Sequence, residues 1–404
     1  MRRLARRNHA LERNRSGVYS YLGPRRRPGR AVPLVPTAPL SVGLVQIRCG
    51  VDRYPVLIGA GLLNEFRTYA HKYLPGETCV VISDRNVARL FANRVTKSLT
   101  SAGFRPTLIT IPPGEKSKTL ERATAICDRM VAAGLDRQSF VVGLGGGMIG
   151  DISGFVAAIY HRGIPHIQIP TTLLAMVDSS IGGKTGVDTR AGKNLIGAFH
   201  QPSLVIDDLD VLKTLPRREF NQGFGEVIKH AVTADAKMFR ILKVVRASGL
   251  HRASETHALQ SLIKRNIEIK SRIVATDERD RTGERALLNF GHTVGHAIER
   301  AGNYSKFLHG EAVSLGIVAA CTISVAKAGL RPEQRDVIVS LLEQFGLPTR
   351  LPPKFPRRKI LDAVMVDKKF EDGKIRFVVT PRIGAAYIAM DVALDEIRDA
   401  IAQL

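Results

Sequence analysis

Cysteine is scarce and scattered: Cys49, Cys79, Cys127 and Cys321 form no Cys-x-x-Cys pair. That excludes a disulfide framework and a thiolate zinc site of the usual spacing, and it points to a reducing compartment, the cytoplasm. Long hydrophobic runs are missing too. Phe140 to Leu144 and Ala312 to Ala326 fall short of the roughly 18 uninterrupted apolar residues that cross a bilayer, so neither a transmembrane helix nor a membrane partner is expected. Acidic residues are outnumbered, 37 against 60 Lys and Arg, for a net charge of +23. Part of this excess is local, because residues 1–40 hold ten Arg against Glu12 and contribute +9. Arg2, Arg3, Arg6, Arg7 and the Arg25 to Arg27 run sit among Pro and Gly without periodicity, the composition of a disordered, solvated extension outside the fold. The segment is Arg-rich and acid-poor like a transit peptide, and it has no apolar core of a secretory signal. Its aromatics are limited to Tyr19 and Tyr21, so nucleic-acid binding would rest on charge alone and is not expected.

What is present is a chain of 404 residues, 44% apolar, long enough for two or three domains. Strand-like runs at Val42 to Arg48, Tyr54 to Gly59, Thr78 to Ser83, Arg105 to Ile111, Phe140 to Gly143 and His166 to Ile169 alternate with helical stretches at Asn86 to Ala102 and Ser117 to Ala133. Alternation of this kind predicts a mainly parallel sheet, hence an α/β nucleotide-binding half over residues 41–216. From Arg217 helical patterns dominate: Phe220 to Ala234, Met238 to Ser248, Ala258 to Thr276 and Gly310 to Ala328. Residues 217–404 are therefore expected to be mainly α-helical, interrupted by a hairpin of Lys374 to Val379 with Ala386 to Met390.

Three groups of residues carry chemistry. After the strand at Phe140 comes Gly145-Gly146-Gly147-Met148-Ile149-Gly150-Asp151, a Gly-x-Gly-x-x-Gly match at a strand-to-helix turn, where glycines let backbone amides approach a pyrophosphate. A tight turn without a ligand would use glycine as well, and no acidic residue follows about 20 positions later to hold a ribose in the usual way. Next, Pro170-Thr171-Thr172, Asp178-Ser179-Ser180 and Gly182-Gly183-Lys184-Thr185-Gly186 form a dense polar loop region ending at Lys193-Asn194. The Walker pattern fails because Asp178 stands where its first glycine belongs, but a lysine among glycines suits a small phosphate, or is simply a surface lysine. Third, Glu226 and Lys229 share a helix face, His292 and His296 share another, and His309-Gly310-Glu311 opens a helix. A His/His/Glu set is typical of catalytic zinc, and Thr293 rules out His-Glu-x-x-His. Each histidine alone is as readily a packed or surface residue.

In order along the chain, Gly-Gly-Gly-Met-Ile-Gly-Asp, Arg162-Gly163, Ile169-Pro-Thr-Thr-Leu-Leu-Ala, Val177-Asp-Ser-Ser, Gly182-Gly-Lys-Thr-Gly, Glu226-Val-Ile-Lys, Leu288-Asn-Phe-Gly-His-Thr-Val-Gly-His, His309-Gly-Glu and Asp367-Lys-Lys are similar to one family. Segments from Asp84 to Lys369 resemble the 3-dehydroquinate synthases, members of the sugar phosphate cyclases. The resemblance implies a dehydroquinate synthase-like fold and a shikimate-pathway lyase that closes a sugar-acid phosphate into a carbocycle with NAD and zinc, or cobalt, as cofactors. It implies metal ligands Glu226, His292 and His309. It places NAD against Asp84, Glu115, Lys118, Gly146, Gly147, Met148, Asp151, Thr171, Thr172, Lys193 and Thr214. Substrate contacts would be Asp178, Lys184, Asn194, Lys229, Lys270, Arg285, Asn289, His296 and Lys369 (preferred over Lys368), with Arg162 reaching the neighbouring subunit's substrate in a homodimer. His161, His200 and His230 depart from the family's frequent residues without replacing any of these. The alternatives implied are a sibling cyclase acting on another sugar phosphate and a metal-dependent polyol or glycerol-phosphate dehydrogenase.

Overall fold

The computed structural model describes residues 42–74, 76–246, 253–279, 283–366, 370–371 and 374–404. The Arg-rich segment 1–40 and the Lys368-Lys369 pair lie outside the described residues. Strands β1 (Gly43–Cys49), β2 (Asp52–Gly59), β3 (Thr78–Asp84), β4 (Arg105–Ile111), β5 (Phe140–Gly145), β6 (His166–Pro170) and β9 (Leu204–Asp208) form a seven-stranded sheet ordered β1-β2-β9-β6-β5-β3-β4. Between β6 and β9 the chain makes a separate hairpin, β7 (Lys184–Thr189) with β8 (Gly192–Phe199). The first half also carries helices α1 (Phe66–Tyr73), α2 (Arg85–Val87), α3 (Asn93–Ser101), α4 (Leu120–Ala132) and α5 (Gly147–Ile159).

The sheet is parallel except for the β1–β2 pair, which is antiparallel because only two residues separate the strands. Its interior strands are covered on both faces and so read as continuous apolar runs. Within β3 the side chains alternate: Val80 and Ile82 pack with Ile126, Ile152 and Phe155 of α4 and α5, while Cys79 and Val81 face the larger core on the other side. The chain leaves β3 for β4 in one direction and β5 for β6 in the other, so the order reverses between β3 and β5. A crevice outside the carboxyl ends of the strands is expected at such a point. Asp84, Gly145 and Pro170 end β3, β5 and β6 there, with Ser83 opposite Leu144 and Gly145 opposite Pro170.

β9 was not foreseen, because its apolar run of Leu204, Val205 and Ile206 is short and ends in Asp207-Asp208. These two carboxylates have opposite fates. Asp208 accepts amide hydrogens from Gly61, Leu63 and Asp210 and so starts the turn that follows the strand. Asp207 is fully buried with neither carboxylate oxygen hydrogen-bonded, and burial raises its pKa well above the usual carboxylate range. The polar loop region expected from Pro170 to Lys193-Asn194 is corrected from Lys184 onward to the β7–β8 hairpin. Its glycines allow the two backbones to approach closely: a Cβ on Gly186 would lie 2.8 Å from the Ile196 carbonyl oxygen.

The second half consists of α6 (Arg217–Thr233), α7 (Met238–Arg246), α8 (Ala253–Thr276), α9 (His292–Ala301), α10 (His309–Lys327), α11 (Pro332–Gln344), α12 (Arg357–Val366) and α13 (Leu394–Ala402), with strands β10 (Phe370–Glu371), β11 (Lys374–Arg382) and β12 (Ala385–Val392). α10 is long and apolar enough to cross a membrane by length and composition, yet most of it is buried as the central helix of this half. Its neighbours come close through glycines. A Cβ on Gly225 of α6 would lie 2.7 Å from the Gly310 carbonyl oxygen, and one on Gly295 of α9 would lie 3.1 Å from that of Ala312. That proximity sets the distance between the residues expected to bind metal.

Candidate metal and dinucleotide site

Glu226 on α6, His292 at the start of α9 and His309 at the start of α10 converge, with one ligand atom from each within 4.8 Å of the others. Glu226 Oε1 lies 3.3 Å from His292 Nε2 and 3.7 Å from His309 Nε2. Ligand atoms held tetrahedrally about 2.0–2.1 Å from a zinc ion are about 3.4 Å apart, close to the two distances from Glu226 to the imidazoles. Glu226 is fully buried, and its carboxylate oxygens lack a well-formed hydrogen bond. What faces them is charge: the Lys229 ammonium pairs with Oε2, and the two imidazoles face Oε1. Burial works to raise the Glu226 pKa, but Lys229 and His292 outweigh it and hold the carboxyl well below its usual range. Burial also depresses His292, favouring the neutral imidazole that can ligate. For His309 burial lowers the pKa, but the facing carboxylates of Glu226 and Glu299 raise it to about 10. The site thus holds a proton where a cation would replace it. His296 stands one turn beyond His292, its ring centroid 5.1 Å from that of His292 and 5.9 Å from that of His309.

Around this cluster lie the expected substrate groups. Lys270 of α8 is buried and donates to the Asp178 carbonyl oxygen at 2.7 Å and to its carboxylate at 2.5 Å. Burial would raise Asp178, but Lys270 prevails and holds it at about 2; burial likewise depresses Lys270. Asp178 also feels Glu226 and Lys229 electrostatically, which ties the pair to the metal cluster. The loop leading to Lys184 is held at several points. Gly182 N–H donates to the Tyr54 hydroxyl at 3.2 Å, Arg285 Nη2 donates to the Gly182 carbonyl at 3.4 Å, and His200 N–H donates to the Gly183 carbonyl at 2.8 Å. Gly182 and Gly183 have φ of +99° and +64°, the region where a side chain is strained. Arg285 is itself anchored: its Nη1 donates to the Glu278 carbonyl at 2.6 Å, and its backbone amide and that of Gly283 turn onto Asp277. Asn289 ends the same 3₁₀ turn, three residues before His292.

On the sheet side, Gly146 precedes α5 directly after β5, so the free amides of that helix start lie at the carboxyl end of the strand. Room there is limited by neighbours: a Cβ on Gly146 would meet Thr172, and one on Gly147 would meet Ser179. Thr171 is buried with its hydroxyl unpartnered, while Thr172 receives the Ala175 amide. Asp84 is mostly buried and caps α2 through the amides of Asn86 and Val87. Lys118 is nearly inaccessible and gathers Glu115 at 2.8 Å, Asn194 at 2.8 Å, Asp151 at 3.1 Å and Asp188 at 3.5 Å. Burial lifts Asp151 to about 6 against the pull of Lys118. Lys193 reaches Glu115 at 3.8 Å and Glu299 at 3.8 Å, so the sheet-side and metal-side groups meet.

Three expected residues have surroundings of their own. Arg162 is exposed at φ +70° in the turn after α5, the Thr214 hydroxyl bonds the Val211 carbonyl, and Met148 packs on the apolar cluster beneath α5. Three participants were missed. Asp188 receives the Asn194 amide at 2.9 Å and Tyr54 holds Gly182; neither stands in a motif. Glu299 contacts His309, and its position seven residues after His292, on the same helix face, was a usable signal.

A nucleotide-type sheet whose switch-point side is linked through Lys193 to a buried Glu/His/His cluster fits the class of dehydroquinate synthase-like enzymes. The comparisons agree. The model for the 3-dehydroquinate synthase N-terminal region matches residues 108–222 and that for the C-terminal region matches residues 223–370. The 3-dehydroquinate synthase of Symbiobacterium thermophilum is 45% identical over 353 residues, 86% of this chain and 97% of the relative. That of Desulforamulus reducens is 42% identical over 362 residues, 90% of this chain and 100% of the relative. Among solved structures, 2-epi-5-epi-valiolone synthase from Streptomyces hygroscopicus, with NAD+ and Zn2+ bound, superposes with a TM-score of 0.79 at 27% identity, covering 89% of this chain and 98% of that one. Glycerol dehydrogenase from Schizosaccharomyces pombe shares the fold, with a TM-score of 0.59 at 18% identity over 86% of this chain and 88% of that one. The chain belongs to the 3-dehydroquinate synthase family.

Proposed function

We propose that this chain works as a 3-dehydroquinate synthase with NAD and a divalent metal, zinc or cobalt. It converts 3-deoxy-D-arabino-heptulosonate 7-phosphate to 3-dehydroquinate and phosphate by transient oxidation, loss of phosphate, re-reduction, ring opening and aldol closure. The observation that carries this reading is the convergence of Glu226, His292 and His309, ringed by Lys229, Lys270 and Asp178, in a chain of this family. When bound, NAD supplies a hydride acceptor returned to its starting state each turnover, and the metal supplies a Lewis acid.

The chain's own groups do the rest. Glu226, His292 and His309 hold the metal. The amides and glycines at Gly146 and Gly147, with Asp84, Glu115, Lys118, Asp151, Thr171, Thr172, Lys193 and Thr214, hold the dinucleotide, and Met148 supports the turn. Lys184 and Asn194 take the phosphate, and Arg285, Asn289 and Lys369 take the carboxylate end. Lys229, Lys270 and Asp178 orient hydroxyls, and His296, one turn from the metal ligands, moves a proton. Lysines and arginines around the site favour capture of a substrate carrying both a carboxylate and a phosphate. The same reading places the division of labour near residue 216, which is supported by the meeting of the two family models between residues 222 and 223.

The working form is a cytoplasmic homodimer. Support comes from the exposed Leu195 and Phe199, which share one face of β8, and from Arg162 standing outside its own site. The test of the activity is phosphate release from the heptulosonate phosphate with catalytic NAD. Release far exceeding the NAD supplied, abolished by chelator and without NADH accumulation, is expected. Stoichiometric NADH from a polyol with no phosphate release would move the chain to the dehydrogenase reading.

A further inference from the structure

The metal-centre reading leaves Glu299 without a role, although it is the one acid of α9 and is buried. Its side chain is 8% exposed, and its two oxygens face different partners. Oε2 lies 3.1 Å from His309 Nδ1 and Oε1 lies 3.8 Å from Lys193 Nζ. His309 therefore directs Nε2 towards Glu226 and Nδ1 towards Glu299. We infer that Glu299 is a positioning residue for the metal centre, holding the His309 ring and its tautomer, and that Lys193 of the β7–β8 hairpin in turn holds Glu299.

The physical argument runs through the imidazole. An Nδ1–H donated to a carboxylate leaves Nε2 with its lone pair for the metal, fixes the ring plane and makes Nε2 a better donor. His292 solves the same problem differently, its Nδ1 lying 3.2 Å from the Phe290 backbone carbonyl. His309 has no such carbonyl in place and depends on a side chain, which must itself be fixed. Lys193 supplies that restraint. Its ammonium lies 3.8 Å from Glu115 on the sheet side and 4.6 Å from the ring centroid of Tyr304, just after α9, so it is held from both sides while it faces Glu299. His296, Glu299 and His309 also bring ligand atoms within 4.8 Å of one another. The His309–Glu299 contact there has hydrogen-bond length, and His296 is exposed, so the buried Glu226 set is the one that binds the ion.

The consequence is that a residue of the nucleotide-type half sets the affinity of a metal held by the helical half. This rests on the metal-centre reading, and the test separates the two. The full-length protein is loaded with Co2+ and challenged with a competing chelator while the visible Co2+ absorption is followed, for the parent and for Glu299→Gln, Glu299→Ala and Lys193→Met. Unchanged thermal unfolding of the metal-free variants controls for folding. Glu299→Ala should weaken Co2+ binding roughly 10- to 100-fold and shift the absorption band. Glu299→Gln, which keeps an acceptor oxygen without the charge, should fall between, and Lys193→Met should weaken binding roughly two- to fivefold. Parent-like affinity and spectrum in Glu299→Ala would overturn the role of Glu299, and parent-like affinity in Lys193→Met would overturn that of the hairpin. A parent protein that binds no Co2+ would instead refute the metal-centre reading.

Discussion

Replacing Asp207 should make the protein more stable, by an amount that grows with pH. The carboxyl is fully buried in the interior strand β9 with no hydrogen-bond partner and no charged group opposing the effect of burial. A buried polar group in that state costs about 1–3 kcal/mol even when neutral. Keeping it neutral adds a second cost. In the unfolded chain an Asp ionises near pH 3.9, whereas the folded-state pKa is raised well above that, so folding takes up a proton at intermediate pH. Stability contributed by the protonated acid is fully present below the unfolded pKa and is lost as pH rises towards the folded one. The slope approaches about 1.4 kcal/mol per pH unit. Asp207→Val removes both costs, and valine, with one heavy atom fewer and a β-branched shape, suits a strand covered on both faces. Asp207→Asn removes only the titration. Urea unfolding of the three proteins at pH 5, 6 and 7 should show Asp207→Val above the parent by at least about 1–3 kcal/mol at pH 5, with the gap widening as pH rises towards the folded-state pKa of Asp207. Asp207→Asn should run parallel to Asp207→Val across pH. A parent curve parallel to both variants, or an Asp207→Val protein less stable at pH 7, would refute the reasoning.

Three further outcomes follow from the packing of the site. Gly225→Ala would place a Cβ 2.7 Å from the Gly310 carbonyl oxygen, forcing α6 from α10 and Glu226 from His309; a loss of about 1–3 kcal/mol in thermal unfolding and weaker Co2+ binding are expected together. Gly182→Ala combines a φ of +99° with a Cβ 2.6 Å from Arg285 Nη2; kcat/KM for phosphate release should fall at least about tenfold, because a misplaced positioning group is costly in rate. Lys118→Met leaves Glu115, Asp151 and Asp188 without their shared cation. The expected loss is about 3–5 kcal/mol at pH 8. It should be smaller at pH 5.5, since Asp151 already titrates near 6 and can take up a proton instead, and urea midpoints at the two pH values would check the sign.

Much of the site was legible because its residues sit in short local patterns. The glycine-rich turn at Gly145 to Asp151 follows an apolar strand and opens a helix, and structure and pattern coincide there. The main helices were legible for the same reason, with ends displaced by a few residues where caps rather than periodicity decide them. The β7–β8 hairpin was not, because its glycines and polar residues carry no alternation; its register is set by close backbone contact. β9 was hidden by its two aspartates, one used as a cap and one simply buried.

What the sequence by itself determined is local: which segments alternate and which are helical, where glycine permits a left-handed turn, and which residue types are available for a metal, a phosphate and a dinucleotide. Tertiary structure decided which of these residues meet. Glu226, His292 and His309 are widely separated in sequence, and nothing in their spacing requires them to share an ion; the glycine-mediated approach of α6, α9 and α10 brings them within 4.8 Å. Lys193 and Glu299 belong to different halves and no motif joins them, yet their charges face each other at 3.8 Å. Sequence patterns encode contacts over one or two turns of backbone, whereas close packing of whole elements, each with two or more possible neighbours, is settled only when the core forms.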